Sequence, residues 1–203
     1  MSFKFPFIRM TGLLFTLIIS ISYSFSADIV SEKKEAYVQL INMYEALDFP
    51  MSRKDLEQCQ KKKSKGCLSV FNRVKKAKDV LFKDGRDAAL TLTLETIKSG
   101  FLKKDWWEDA HSGGAVCALS LFDSEKEDER IFQFFKEQGA EFFKRLYHPY
   151  PVITIFASNR PDKNKWLDYI ETLEGITSDQ KYAYRESFKS EPDERPKLLL
   201  DVK

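Results

Sequence analysis

From Ser31 to Phe188, apolar side chains recur at intervals of three and four, and almost every such run is opened by a capping residue or closed by glycine or proline. A chain patterned this way buries one stripe of each segment at the 3.6-residue period, which selects helices and leaves little for a sheet.

The first run, Ser31 to Leu47, aligns Tyr37, Leu40, Ile41, Tyr44 and Leu47, and Phe49-Pro50 stops it because a residue before proline is pushed out of helical geometry. Ser52 with Asp55 predicts a capped helix running toward Lys63, Gly66 a break, and Leu68, Phe71, Val74, Ala77 and Leu81 the buried face of the next helix, ended by Asp84-Gly85. Residues 86–97 carry the alternation Leu90-Thr91-Leu92-Thr93-Leu94, yet Ala88, Ala89 and Glu95 favour helix, closed by Gly100. A loop is expected over 101–114, containing Asp105, Trp106, Trp107, Glu108, Asp109 and the Gly113-Gly114 pair, before the very apolar segment Ala115 to Phe122, which should lie at the centre.

Ser124 and Glu127 predict a capping box opening a helix with Ile131, Phe134, Phe135, Phe142, Phe143 and Leu146 on one stripe, interrupted by Gly139. His148-Pro149-Tyr150-Pro151 reads as extended, and residues 152–156 fit either a short strand or a buried helical turn. After a turn at Asn159-Arg160-Pro161, Trp166, Tyr169, Ile170 and Leu173 mark another helix ended by Gly175, and Thr177 with Gln180 caps a last one through Phe188. Residues 191–203, with Pro192 and Pro196, read as an extended or disordered tail. Gly85 to Leu92 and Gly114 to Leu121 echo one another, but no third copy follows, and helical repeats need at least three. The expectation is a single compact all-α domain of seven or eight helices over residues 27–190.

Residues 1–26 have the three regions of a secretory signal peptide: Lys4 and Arg9, the apolar run Met10 to Ile21, then Ser22, Ser24 and Ser26 before a charged chain. The apolar run is short for a membrane span, which favours cleavage over anchoring. Removing residues 1–26 takes away two basic groups and no acid, so the formal charge of +2 falls to zero. That balance argues against nucleic acid as a partner. Export places Cys59, Cys67 and Cys117 in an oxidising compartment, where Cys59 and Cys67, flanking a polar turn, are expected to bridge and Cys117, in AVCALSLF, to be buried.

Chemistry has few footholds. There are two histidines and no nucleophile elbow, zinc-protease, paired-cysteine or phosphate-loop motif, so neither metal nor cofactor is expected. Glu108 beside Trp106 and Trp107, and His111 near Gly113-Gly114, are the only catalytic candidates, as a carboxylate against an aromatic platform and a titrating group in a loop.

Charge distribution is more telling. Between Arg53 and Arg86 twelve Lys and Arg face four acids, whereas Asp105 to Arg130 holds eight acids against two bases, which predicts opposed electrical ends. Lys61, Lys62, Lys63, Lys65, Arg73 and Lys76, with Trp106 and Trp107, are the candidate binding residues. The partner expected is a protein with an acidic surface, with anionic lipid or a cell-surface polymer as alternatives. The pattern fits an exported, non-enzymatic binding protein such as an inhibitor or immunity-type partner. Two alternatives are a cell-envelope hydrolase working through Trp106 to Gly114 and a membrane-anchored structural component of the envelope.

Overall fold

The computed structural model describes residues 31–101, 110–146 and 150–201. Residues 1–26, expected to be a signal peptide, and Trp106, Trp107, Glu108, His148 and Pro149 lie outside them. The described residues form ten α-helices and no strand: α1 (31–45), α2 (Arg53–Lys61), α3 (Lys65–Leu81), α4 (Arg86–Phe101), α5 (Ala110–Ala118), α6 (Glu125–Leu146), α7 (Tyr150–Ser158), α8 (Lys163–Thr172), α9 (Ser178–Lys189) and α10 (Glu194–Asp201). A 3-10 turn, Leu119–Leu121, continues α5.

The expected caps are present. Ser52 Oγ accepts from the Asp55 amide, Ser124 Oγ from the Glu127 amide, and Thr177 and Gln180 form a reciprocal capping box. Four expectations are corrected. Tyr150 and Pro151 begin α7, because proline fits the first helical turn, where no intrahelical N–H bond is needed, and residues 152–156 are therefore helical. Residues 110–114 belong to α5, so the expected loop ends earlier. Gly66 lies in the first turn of α3, while the break falls at Lys62–Ser64, where Lys63 takes φ 50°. The tail is also ordered over most of its length: α10 buries Pro196, Leu198 and Leu199 against the core.

Residues 112–122 are buried without exception, which makes α5 and its 3-10 continuation the centre of the molecule. Glycine permits that position. A Cβ on Gly114 would overlap the Tyr37 carbonyl of α1, and one on Gly100 would overlap Ser112, so the backbones of α1, α4 and α5 cross too closely for a side chain. The Gly113-Gly114 pair is thus a packing contact and not a hinge. Nor is the echo between residues 85–92 and 114–121 a repeat, because Gly85 precedes α4 with φ 92° whereas Gly114 lies inside α5.

Around that centre packs an aromatic cluster. Gly139, at φ 69°, bends α6 so that Phe135 before the bend and Phe142 after it meet at 4.8 Å between ring centroids. Phe135 stacks on Phe156 at 5.0 Å and stands edge-on to Trp166 at 5.2 Å, which joins α6, α7 and α8. The Tyr184 hydroxyl of α9 donates to the Phe143 carbonyl at 2.7 Å.

Two charged groups lie inside this apolar mass. The Arg160 side chain is fully buried and donates from Nη2 to the carbonyls of Leu119 (2.6 Å) and Phe122 (3.2 Å), and from Nε to that of Phe156 (3.2 Å). Its Nη1 faces Asp128 Oδ1 at 3.4 Å, and the same carboxylate accepts from Trp166 Nε1 (3.1 Å) and Lys165 Nζ (3.0 Å). One cation therefore serves the carbonyls closing two helical segments, while one anion satisfies the buried indole. Burial pushes the Arg160 guanidinium down to about 10, with Asp128 opposing the shift. Arg160→Met should cost about 3–5 kcal/mol in urea denaturation, because it removes the donor to three buried carbonyls and one of the two cations paired with the buried Asp128. A loss under about 1 kcal/mol would show that water replaces the guanidinium.

Candidate interaction surface

α2 is nine residues long and buries only Leu56, so packing alone holds it weakly. The Cys59–Cys67 disulfide ties it to α3 across eight residues, with the Cα atoms 6.1 Å apart. Between the two half-cystines the turn presents Lys61, Lys62 and Lys63, followed by Lys65 at the start of α3, and all four are exposed. The buried face of α3 carries Cys67, Phe71, Val74, Ala77 and Leu81, which leaves Lys65, Arg73 and Lys76 on the opposite side, with Ser69 and Asn72 between them. The six candidate basic residues thus share one end of the molecule and the adjoining helix face. None forms a salt bridge among the described residues.

Several neighbouring cations are engaged in the fold. Lys78 donates to the Leu199 carbonyl at 3.2 Å and pairs with Asp79, Lys33 pairs with Asp84, and Arg53 lies 3.7 Å from Asp201. Arg86 is clamped by Glu127 at 2.7 Å and Asp123 at 3.2 Å. Burial raises the Glu127 carboxyl, but hydrogen bonds from Arg86 and Ser124 outweigh it and hold the group below its ordinary range.

The expected acidic end is not assembled from residues 123–130. Asp123 and Glu127 are taken by Arg86, Asp87 holds Arg130 at 2.8 Å, Asp128 is inside the core, and Glu129 pairs with Lys165 at 3.2 Å. Of the five acids in residues 123–130 only Glu125 is without a salt bridge among the described residues, and Asp105, Glu108 and Asp109 lie outside them.

Two grooves adjoin the basic residues. One, of about 440 Å³, runs between α1 and α3, with Glu32, Glu35 and Gln39 on one side, Arg73 and Lys76 on the other, and Ala36, Ala77 and Val80 beneath. The second, of about 420 Å³, lies beside the disulfide and includes Leu47, Phe49, Pro50, Met51, Lys62 and Ser64. Leu47, expected on the buried face of the first helix, is instead fully exposed. The helix ends at residue 45, and Phe49 enters the core in its place, 5.9 Å from the Phe71 ring.

The catalytic candidates fare differently. Glu108, Trp106 and Trp107 lie outside the described residues, and His111 is half-buried in the first turn of a helix. Cys117, on the same helix, is buried, and that burial pushes its thiol up to about 12 despite the opposing charge of Arg195. No cluster of three or more metal-ligating side chains occurs among the described residues. No protein-family model, curated protein or solved structure matches the chain.

Two measurements check this description. Reducing the Cys59–Cys67 bridge should lower stability by roughly 2–3 kcal/mol on the chain-entropy argument, with a fall in the urea midpoint. Cys117 should resist alkylation at pH 8 in the folded protein and react at the ordinary thiol rate only in denaturant. Rapid labelling of the native state would contradict its burial.

Proposed function

We propose that the protein is an exported, non-enzymatic helical binding protein, of the inhibitor or immunity type, whose basic α2–α3 end engages an acidic surface of a partner protein. The observation that carries this reading is the contrast in charge use: the acids of residues 123–130 are largely spent on internal pairs, while Lys61, Lys62, Lys63, Lys65, Arg73 and Lys76 have no salt-bridge partner among the described residues. Unpaired charge gathered on one surface accelerates encounter with an opposite field and fixes its orientation. The disulfide that holds the lysines in place suits an oxidising compartment, and no helix among the described residues is long and apolar enough to cross a membrane. Export itself rests on the signal pattern of residues 1–26.

The test replaces Lys61, Lys62, Lys63 and Lys65 together by Glu in the exported protein. Wild type should capture an acidic partner from envelope extract at low salt and release it as salt screens the charges, and the variant should capture at least about tenfold less. Because all four side chains are exposed, thermal melts of the two proteins should coincide within a few degrees. Equal capture by both would overturn the reading. Mass spectrometry of the mature N-terminus tests export separately, with cleavage expected near Ser26.

A further inference from the structure

The α2–α3 end carries more than charge. Among the described residues three large hydrophobic side chains are exposed, Leu47 at 101%, Met51 at 54% and Tyr182 at 60%, and two of these line the groove beside the disulfide. An isolated exposed leucine is unremarkable on a protein surface. Leu47 and Met51, however, flank the Asp48-Phe49-Pro50 turn, whose Phe49 is anchored in the core, so both are presented at a fixed site. Lys62 and Ser64, from the basic turn, line the same groove.

Apolar anchors in a pocket surrounded by charge are the usual composition of a protein interface: the charges steer, and the desolvated anchors supply much of the affinity. We infer that the groove of about 420 Å³ receives an apolar side chain from an acidic amphipathic helix of the partner, with Leu47 and Met51 packing on it and Lys61, Lys62, Lys63 and Lys65 facing its carboxylates. This inference rests on the acidic-partner reading and adds the apolar half of the site. A protein segment fits better than a lipid surface. The groove is concave, so it can enclose a single side chain projecting from a helix, and its Gln58 amide offers directional hydrogen bonds that a peptide segment can meet.

The probes are two synthetic acidic helical peptides of equal length and net charge, one with a Leu and a Phe four residues apart on one face and the other with Ala at both positions. Binding to the full protein is followed by fluorescence anisotropy, alongside sedimentation with vesicles of phosphatidylcholine and phosphatidylglycerol. The Leu/Phe peptide should bind about tenfold tighter than its Ala counterpart, and L47S/M51S should abolish that difference. If both peptides bind alike, or L47S/M51S changes neither, the apolar site is refuted while the acidic-partner reading stands. If neither peptide binds even at low salt, both fall. Vesicle binding that depends on Leu47 and Met51, with no preference for the Leu/Phe peptide, would assign the groove to a lipid surface and overturn the inference.

Discussion

Arg160 and Asp128 hold the architecture at the point where a helical domain is hardest to finish. The 3-10 turn after α5 and the end of α7 both leave carbonyls inside the core, beyond the reach of water, and Arg160 gathers three of them while sitting 4.9 Å from the centre of the Phe156 ring. Asp128 balances the charge and fixes the Trp166 indole, around which Phe132, Phe135, Phe156 and Phe188 pack. Without the pair, α6, α7 and α8 would still have apolar faces. They would lack the directional contacts that select one arrangement among several oily ones.

Much of the helical pattern was readable because its causes are local. The caps at Ser52, Ser124 and Thr177, the bend at Gly139 and the turn at Gly85 depend on residues within a turn of one another. The failures were nonlocal. Arg160 in Asn-Arg-Pro looks like an ordinary exposed turn cation, and only the convergence of residues 119, 122, 128 and 156 makes it a buried charge in the core. Pro151 reads as a breaker until it is seen in the first turn of α7, and the tail reads as extended or disordered until Leu198 and Leu199 find α3 and the 3-10 turn.

The surface divides the same way. Two cysteines eight positions apart around a polar turn announced the staple, and a run of lysines announced exposure. The fate of the acids could not be read in advance, because pairing Arg86 with Glu127 or Lys165 with Glu129 requires knowing which helix ends meet. Leu47 was misplaced for a related reason. Periodicity counts residues along one axis, and that axis ends two residues before it, so Phe49 takes the buried position.

α10 has a bearing on how the molecule comes to be folded. Its Leu198 and Leu199 fill the core beside the 3-10 turn, its backbone accepts from Lys78, and Arg195 covers the Tyr44 ring at 4.2 Å. Helices from the first third of the sequence therefore wait for one of the last segments to be synthesised. A nascent chain halted short of residue 194 would expose the apolar seam between α3 and the centre and leave it open to chaperones.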